Sequence, residues 1–216
     1  RMTPAAVLFD CDGVLVDSEG IGFDLLDGDF RRFGHPMPRD EMERRFIGGT
    51  IHGLWTRARE AGIPLPDGWV DDFYGRLYAR LEEGTPLIPG VEAVLDRLDA
   101  TGIPYAVGSN GTTRKMQITL GQHPSVLRRL DGRLFSGQEL GCPKPDPGLY
   151  LHAARALGAD PARCVVVEDS ATGARAARAA GMRCLGFAAH GDGAALAGEG
   201  AEICRDMADL PVRLGL

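Results

Sequence analysis

The spacing of hydrophobic residues changes along the chain, and the changes divide it. Residues 5–9 (Ala-Ala-Val-Leu-Phe) form an uninterrupted apolar run, the pattern of a strand covered on both faces. From residue 17 the period becomes helical. Phe23, Leu26, Phe30 and Phe33 share one helical face, and Gly34 stops it. Residues 41–46, 54–61 and 70–81 repeat that spacing, with Gly62 ending the second of these segments. Pro86, Pro89 and Gly90 then punctuate the chain. Between residues 20 and 83 no stretch alternates as a strand would.

Strand and helix alternate from Val91 onward. Val91, Val94, Leu95 and Leu98 give one apolar stripe closed by Gly102. Residues 103–107 read as a strand and 112–120 as a helix. Residues 134–136 form a short strand, and Asp146-Pro147 opens a helix that Gly158 closes. Residues 164–167 are a strand, 171–180 an alanine-rich helix ended by Gly181, and 184–187 a further strand. This order predicts an α/β fold, a doubly wound parallel sheet with helices on both faces. The core takes residues 1–16 and 86–216, and residues 17–85 form an inserted helical domain.

The polar residues that interrupt this pattern are concentrated at strand ends. Asp10 and Asp12, with Gly13, follow the first strand. Ser109-Asn110-Gly111 follows the second, and Glu168-Asp169 follows the fourth. Lys144-Pro145-Asp146-Pro147 lies in a loop beyond the third. An isolated Asp-x-Asp-Gly is as readily two solvated aspartates in a turn. In a parallel sheet, however, these strand ends share one edge, where open α/β sheets bind ligands. Asp10, a backbone carbonyl near Asp12, and Asp169 are hard oxygen donors suited to Mg²⁺. Ser109 with the Asn110-Gly111 backbone at a helix start suits an anion, and Lys144 adds a point charge. A nucleophilic carboxylate beside such groups points to phosphoryl transfer through an aspartyl-phosphate, with the second aspartate as acid and base.

Composition narrows the partners. A net charge of −6 argues against a nucleic-acid surface. No apolar run approaches the ~20 residues of a membrane span. The five cysteines show no C-x-x-C spacing, and with no signal-peptide pattern at the start they suggest a reducing, cytoplasmic setting. Among 24 basic residues only Lys115 and Lys144 are lysines.

Asp10-Cys11-Asp12-Gly13-Val14-Leu15, Ser109-Asn110, Lys144-Pro145-Asp146-Pro147 and Glu168-Asp169-Ser170 resemble, in order and spacing, the four motifs of the haloacid dehalogenase superfamily. The helical insert stands where that superfamily places its first cap. The subgroup resembled is that of β-phosphoglucomutase and the sugar-phosphate phosphatases. The segments around Lys115-Met116-Gln117 and Leu134-Phe135-Ser136-Gly137 look most like 6-phosphogluconate phosphatase. The resemblance implies that Asp10 is nucleophile and metal ligand. Asp12 is acid/base and lends its carbonyl to Mg²⁺. Ser109, Asn110 and Lys144 bind phosphate. Asp169 ligates the metal, while Glu168 holds a metal-bound water or stands behind the ligands. In the loop Gly48-Gly49-Thr50-Ile51-His52, Thr50 or His52 would meet the substrate.

The expected activity is Mg²⁺-dependent hydrolysis of a small phosphorylated metabolite, a sugar phosphate or sugar-acid phosphate, by a monomer. A dehalogenase of the superfamily lacks the second aspartate, which is present here. The β-phosphoglucomutases usually carry a histidine about ten residues after that aspartate, where this chain has Gly22. A catalytically dead binding protein is expected to have lost at least one motif residue.

Overall fold

The computed structural model describes residues 3–46 and 49–216; Arg1, Met2, Ile47 and Gly48, the last part of the expected substrate loop, lie outside them. β1 (Ala6–Phe9) leads into four helices, α1 (Glu19–Arg32), α2 (Arg39–Phe46), α3 (Ile51–Glu60) and α4 (Trp69–Glu83). The chain then runs α5 (Val91–Thr101), β2 (Tyr105–Ser109), α6 (Thr113–Leu120), α7 (Pro124–Arg129) and β3 (Leu134–Ser136). It ends α8 (Gly148–Ala156), β4 (Cys164–Glu168), α9 (Ala171–Ala179), β5 (Arg183–Phe187), α10 (Ala194–Gly198), β6 (Glu202–Cys204) and α11 (Leu210–Leu214).

The six strands form one parallel sheet in the order β3-β2-β1-β4-β5-β6. The chain winds outward from β1 on one side, then returns to wind outward on the other. The switch point therefore lies between β1 and β4, where a crevice opens at the strands' carboxyl ends. β1 is apolar throughout because both faces are covered. Val7 and Phe9 join the cluster under α5 and α6, while Ala6 and Leu8 join the one under α8 and α9.

Strand limits differ from the sequence reading, most at β2 and β4, and one strand is new. β2 begins at Tyr105 and runs through Ser109, because Gly108 and Ser109 pair with Phe135 and Ser136 on β3. The predicted start, Ile103, closes the preceding helix by donating its backbone N–H to Leu98. β4 extends to Glu168, which pairs with Gly186. β6 is a three-residue edge strand with no alternating pattern to announce it. The short helices α7, α10 and α11 also went unpredicted.

The four helices of residues 19–83 enclose their own apolar cluster, including Phe23, Leu26, Phe30, Phe46, Trp69 and Phe73. Among its described residues the one buried charge is Asp29, which accepts from Trp69 Nε1 at 2.7 Å and from two Arg76 nitrogens. The run Arg39 to Arg45 is a solvated face laced by i,i+4 pairs. The two chain crossings between this layer and the sheet are tied together: Asp17 N–H donates to Pro86, and Ile88 N–H to Leu15. Helix α4 also reaches across, through Tyr74 Oη to Gln138 Oε1 (3.0 Å) and Tyr78 Oη to Thr112 Oγ1. Among the described residues no helix is long and apolar enough to cross a membrane.

Asp29→Ala leaves the Trp69 N–H and the Arg76 guanidinium without their shared acceptor. It should lower unfolding stability by about 2–3 kcal/mol. A shift of the urea midpoint checks this, and an unchanged midpoint would show that Asp29 is not the centre of that network.

Candidate active site

The strand ends deliver their polar residues to one place. Asp10 is the first residue beyond β1 and still donates its backbone N–H to Val167 on β4. Ser109 and Glu168 are the last residues of β2 and β4, the two neighbours of β1. Lys144 arrives from the loop after β3. Its Nζ lies 2.7 Å from Asp10 Oδ1 and 2.5 Å from Glu168 Oε1, with 5% of the side chain exposed. Two acids hold its proton firmly, so its pKa rises despite the burial that opposes charge.

Asn110 fixes the lysine's backbone. Its side-chain Nδ2 donates to the Lys144 carbonyl, and its Oδ1 accepts the Lys144 N–H at 2.7 Å. The Asn110 side chain is therefore a latch on the lysine loop. Ser109 is buried, and its Oγ accepts the Gly111 N–H. Thr112 caps α6 by accepting the Lys115 N–H.

Glu168 is fully buried and its oxygens are taken. Oε1 accepts from Lys144 and Tyr150 Oη, and Oε2 from the Ser170 N–H and hydroxyl. The carboxylate fits only because residue 173 is glycine; a methyl there would overlap it. Gly13 does the same for Asp169. Its φ of +75° suits glycine, and a Cβ would overlap the Asp169 carboxylate.

The charges are crowded. One oxygen each of Asp10, Glu168 and Asp169 lie within 4.8 Å of one another. Burial, then the nearby Glu168, push Asp10 up to about 7 against the pull of Lys144. Burial, then the charges of Asp10, Glu19 and Glu168, raise Asp169 well above the carboxylate range. Asp12 goes the other way. Burial works against its ionised form, but the Lys115 ammonium 2.8 Å away and the Ser18 hydroxyl overcome this and lower its pKa. Cys11, between the two aspartates, is buried, and burial pushes its thiol up, so it stays protonated.

A cavity of about 220 Å³ lies between this edge and the helices. Its floor includes Asp10, Asp12, Ser109, Lys144 and Asp169; its roof includes Gly22, Phe23, Thr50 and Tyr74. Among the described lining residues there is no histidine. The expectation for His52 is corrected. Thr50 lines the cavity and caps α3 by accepting the Gly53 N–H, whereas His52 is exposed with its ring 5.5 Å from Trp55. Two helical positions turn a side chain most of the way to the opposite face. Lys115, Ser18, Glu19 and Tyr150 had no assigned role from sequence. The signals pointing to Lys115 are the scarcity of lysine and its place in a segment that carries the family resemblance.

This arrangement is that of a known hydrolase class. The chain belongs to the haloacid dehalogenase-like hydrolase family, whose profile matches residues 4–181. It is 36% identical to 6-phosphogluconate phosphatase of Escherichia coli over 186 residues, 85% of this chain and 82% of that protein. A haloacid dehalogenase-like protein of Agrobacterium tumefaciens superposes with a TM-score of 0.84 at 34% identity, covering 98% of this chain and 97% of that one. A family hydrolase of Deinococcus radiodurans, solved with phosphate and sodium bound, gives 0.78 at 32% identity, covering 100% and 96%.

Gly173→Ala should cost roughly 2–3 kcal/mol of stability through overpacking and about a hundredfold in turnover by displacing Glu168 and Lys144. Gly28→Ala is the control: it lies on an exposed face of α1 with nothing within 4 Å of the new methyl, and should stabilise by about 0.5–1 kcal/mol. Thermal unfolding and activity of the two variants, measured side by side, check both statements.

Proposed function

We propose that the protein is an Mg²⁺-dependent phosphatase that hydrolyses a small phosphorylated metabolite through an aspartyl-phosphate on Asp10. The observation that carries this reading is the buried Lys144 ammonium wedged between Asp10 and Glu168 in a cavity that also holds Asp12, Ser109 and Asp169. The residues fit a hard divalent cation. Asp10 and Asp169 are crowded carboxylates with raised pKa values, and a cation offsets their repulsion. The ligands would be the Asp10 and Asp169 carboxylates and the Asp12 backbone carbonyl. Glu168, with its oxygens already engaged, would stand behind them and hold Lys144. Bound there, Mg²⁺ would draw charge from the phosphoryl oxygens.

The protein's own groups supply the rest. Asp10 attacks phosphorus while Lys144 and Ser109 bind the non-bridging oxygens. Asp12 protonates the leaving oxygen. It then takes a proton from the water that attacks the aspartyl-phosphate. The roof excludes bulk water and limits the substrate's size. The substrate is a sugar phosphate or sugar-acid phosphate, in keeping with the relative named 6-phosphogluconate phosphatase. A mutase has less support, because the position expected to carry its histidine is Gly22 on the cavity wall.

Phosphate release from a panel of sugar phosphates, sugar-acid phosphates and nucleotides should require Mg²⁺ and stop on complete chelation. Asp10→Asn should remain folded and be inactive. Turnover that survives chelation, or a substantial rate in Asp10→Asn, would overturn the reading.

Lys144→Arg should lower kcat by about a hundredfold, as for loss of an electrostatic clamp. Its slot is buried between two carboxylates and shaped for an ammonium, and a guanidinium fork is too broad for it. A parental rate in this variant would make Lys144 a structural residue.

A further inference from the structure

Both lysines of this arginine-rich chain reach the same cavity. Lys144 has its role in the phosphatase reading; Lys115 does not. Lys115 stands in the first turn of α6, whose N-cap Thr112 is held in turn by Tyr78 of α4. Its side chain is 17% exposed, and its Nζ lies 2.8 Å from Asp12 Oδ1. The Ser18 hydroxyl donates to that same oxygen at 2.5 Å. The lysine stem runs beside Gly111: a Cβ on that glycine would lie 3.3 Å from Lys115 Cδ and 3.2 Å from Ser109 Oγ. The Asp12 oxygen closest to that point is Oδ2, at 3.8 Å.

Two donors thus converge on one oxygen of Asp12, and the other faces the strand end that carries Ser109. A carboxyl proton goes to the oxygen whose lone pairs are open. We propose that Lys115 is a positioning residue that, with Ser18, pins Asp12 Oδ1 and so makes Oδ2 the atom through which protons pass. This rests on the phosphatase reading and deepens it. As the bond from Asp10 to phosphorus forms and the ester P–O bond breaks, Asp12 Oδ2 gives its proton to the leaving oxygen, releasing the alcohol. In the second half Oδ2 takes a proton from water as the water oxygen attacks phosphorus. The Asp10–phosphorus bond then breaks, returning the Asp10 carboxylate and releasing phosphate. Lys115 touches neither the reacting phosphorus nor the leaving oxygen; it acts by holding Asp12.

The leaving group reports on this. A p-nitrophenolate departs with little help from an acid, whereas an alkoxide needs the proton. kcat/KM in Mg²⁺ is measured for parent and Lys115→Met on p-nitrophenyl phosphate, phenyl phosphate and an alkyl phosphate that the parent hydrolyses, with thermal unfolding confirming that the variant is folded. The expected loss is about a hundredfold on the alkyl ester, the usual scale of general acid catalysis, and at least about tenfold smaller on p-nitrophenyl phosphate. Ser18→Ala, which keeps the ion pair and removes the neutral donor, should tilt the series the same way more weakly, and it serves alone if Lys115→Met does not fold. A loss of equal size on all three esters, carried by kcat or by KM, overturns the proposal and makes Lys115 a structural or phosphate-binding residue. If the parent releases phosphate from neither aryl ester and from no alkyl phosphate of the panel, the phosphatase reading has failed and this inference goes with it.

Discussion

Asp10, Asp12, Glu168 and Asp169 occupy one edge of one sheet with two ammonium groups set among them, and the rest of the structure serves that crowding. Like charges this close in a partly dry site repel, so each carboxylate needs a specific partner. Lys144 bridges Asp10 and Glu168, and Lys115 answers Asp12. Burial and then the neighbouring carboxylates push Asp10 and Asp169 up, Lys144 notwithstanding, while Lys115 and Ser18 pull Asp12 down against its burial. A cation beside Asp10 and Asp169 would offset that repulsion. Two aspartates only two residues apart thus stand in opposite electrostatic settings.

Holding such a group together requires a rigid frame. The acids come from adjacent parallel strands whose ladder continues into the site, as the Asp10 N–H bond to Val167 shows. Behind them Tyr150, Ser170 and Asn110 fix Glu168 and the lysine loop. Gly13 and Gly173 leave the volume that the carboxylates fill. The helices of residues 19–83 have a separate apolar core and meet this frame through two tied chain crossings and a few side-chain bonds from α4. Such a layer can supply shape above the cavity while the sheet keeps the charges in register.

Much of this was legible along the chain because strand ends carry their polar residues in a readable order. Asp10, Ser109 and Glu168 could be placed together from the parallel-sheet expectation alone. Lys144 followed from its loop beyond the third strand and from the Lys-Pro-Asp-Pro segment, its being one of only two lysines adding to that. What could not be read was pairing. Nothing in the spacing says that Asn110 would spend its side chain on the Lys144 backbone. Nor does it say that Tyr150, deep in a helix of apolar residues, would hold Glu168. His52 shows the limit most clearly. A helix over 54–61 was legible, but not that it begins at Ile51 and takes His52 into its first turn, on an exposed side.

The sequence by itself determined most strands and helices, the inserted helical segment, and the arrival of Asp10, Asp12, Ser109, Lys144, Glu168 and Asp169 at the sheet edge. Those follow from hydrophobic period and from the fixed direction of parallel strands, which are properties of the local chain. Only the tertiary structure decided the β6 edge, the partners of each charge, the glycines that make room for Glu168 and Asp169, and the side of α3 that faces the cavity. Those depend on how side chains of different elements meet in space once the sheet and helices have packed. No local pattern encodes them, because they are set by the packing of the whole.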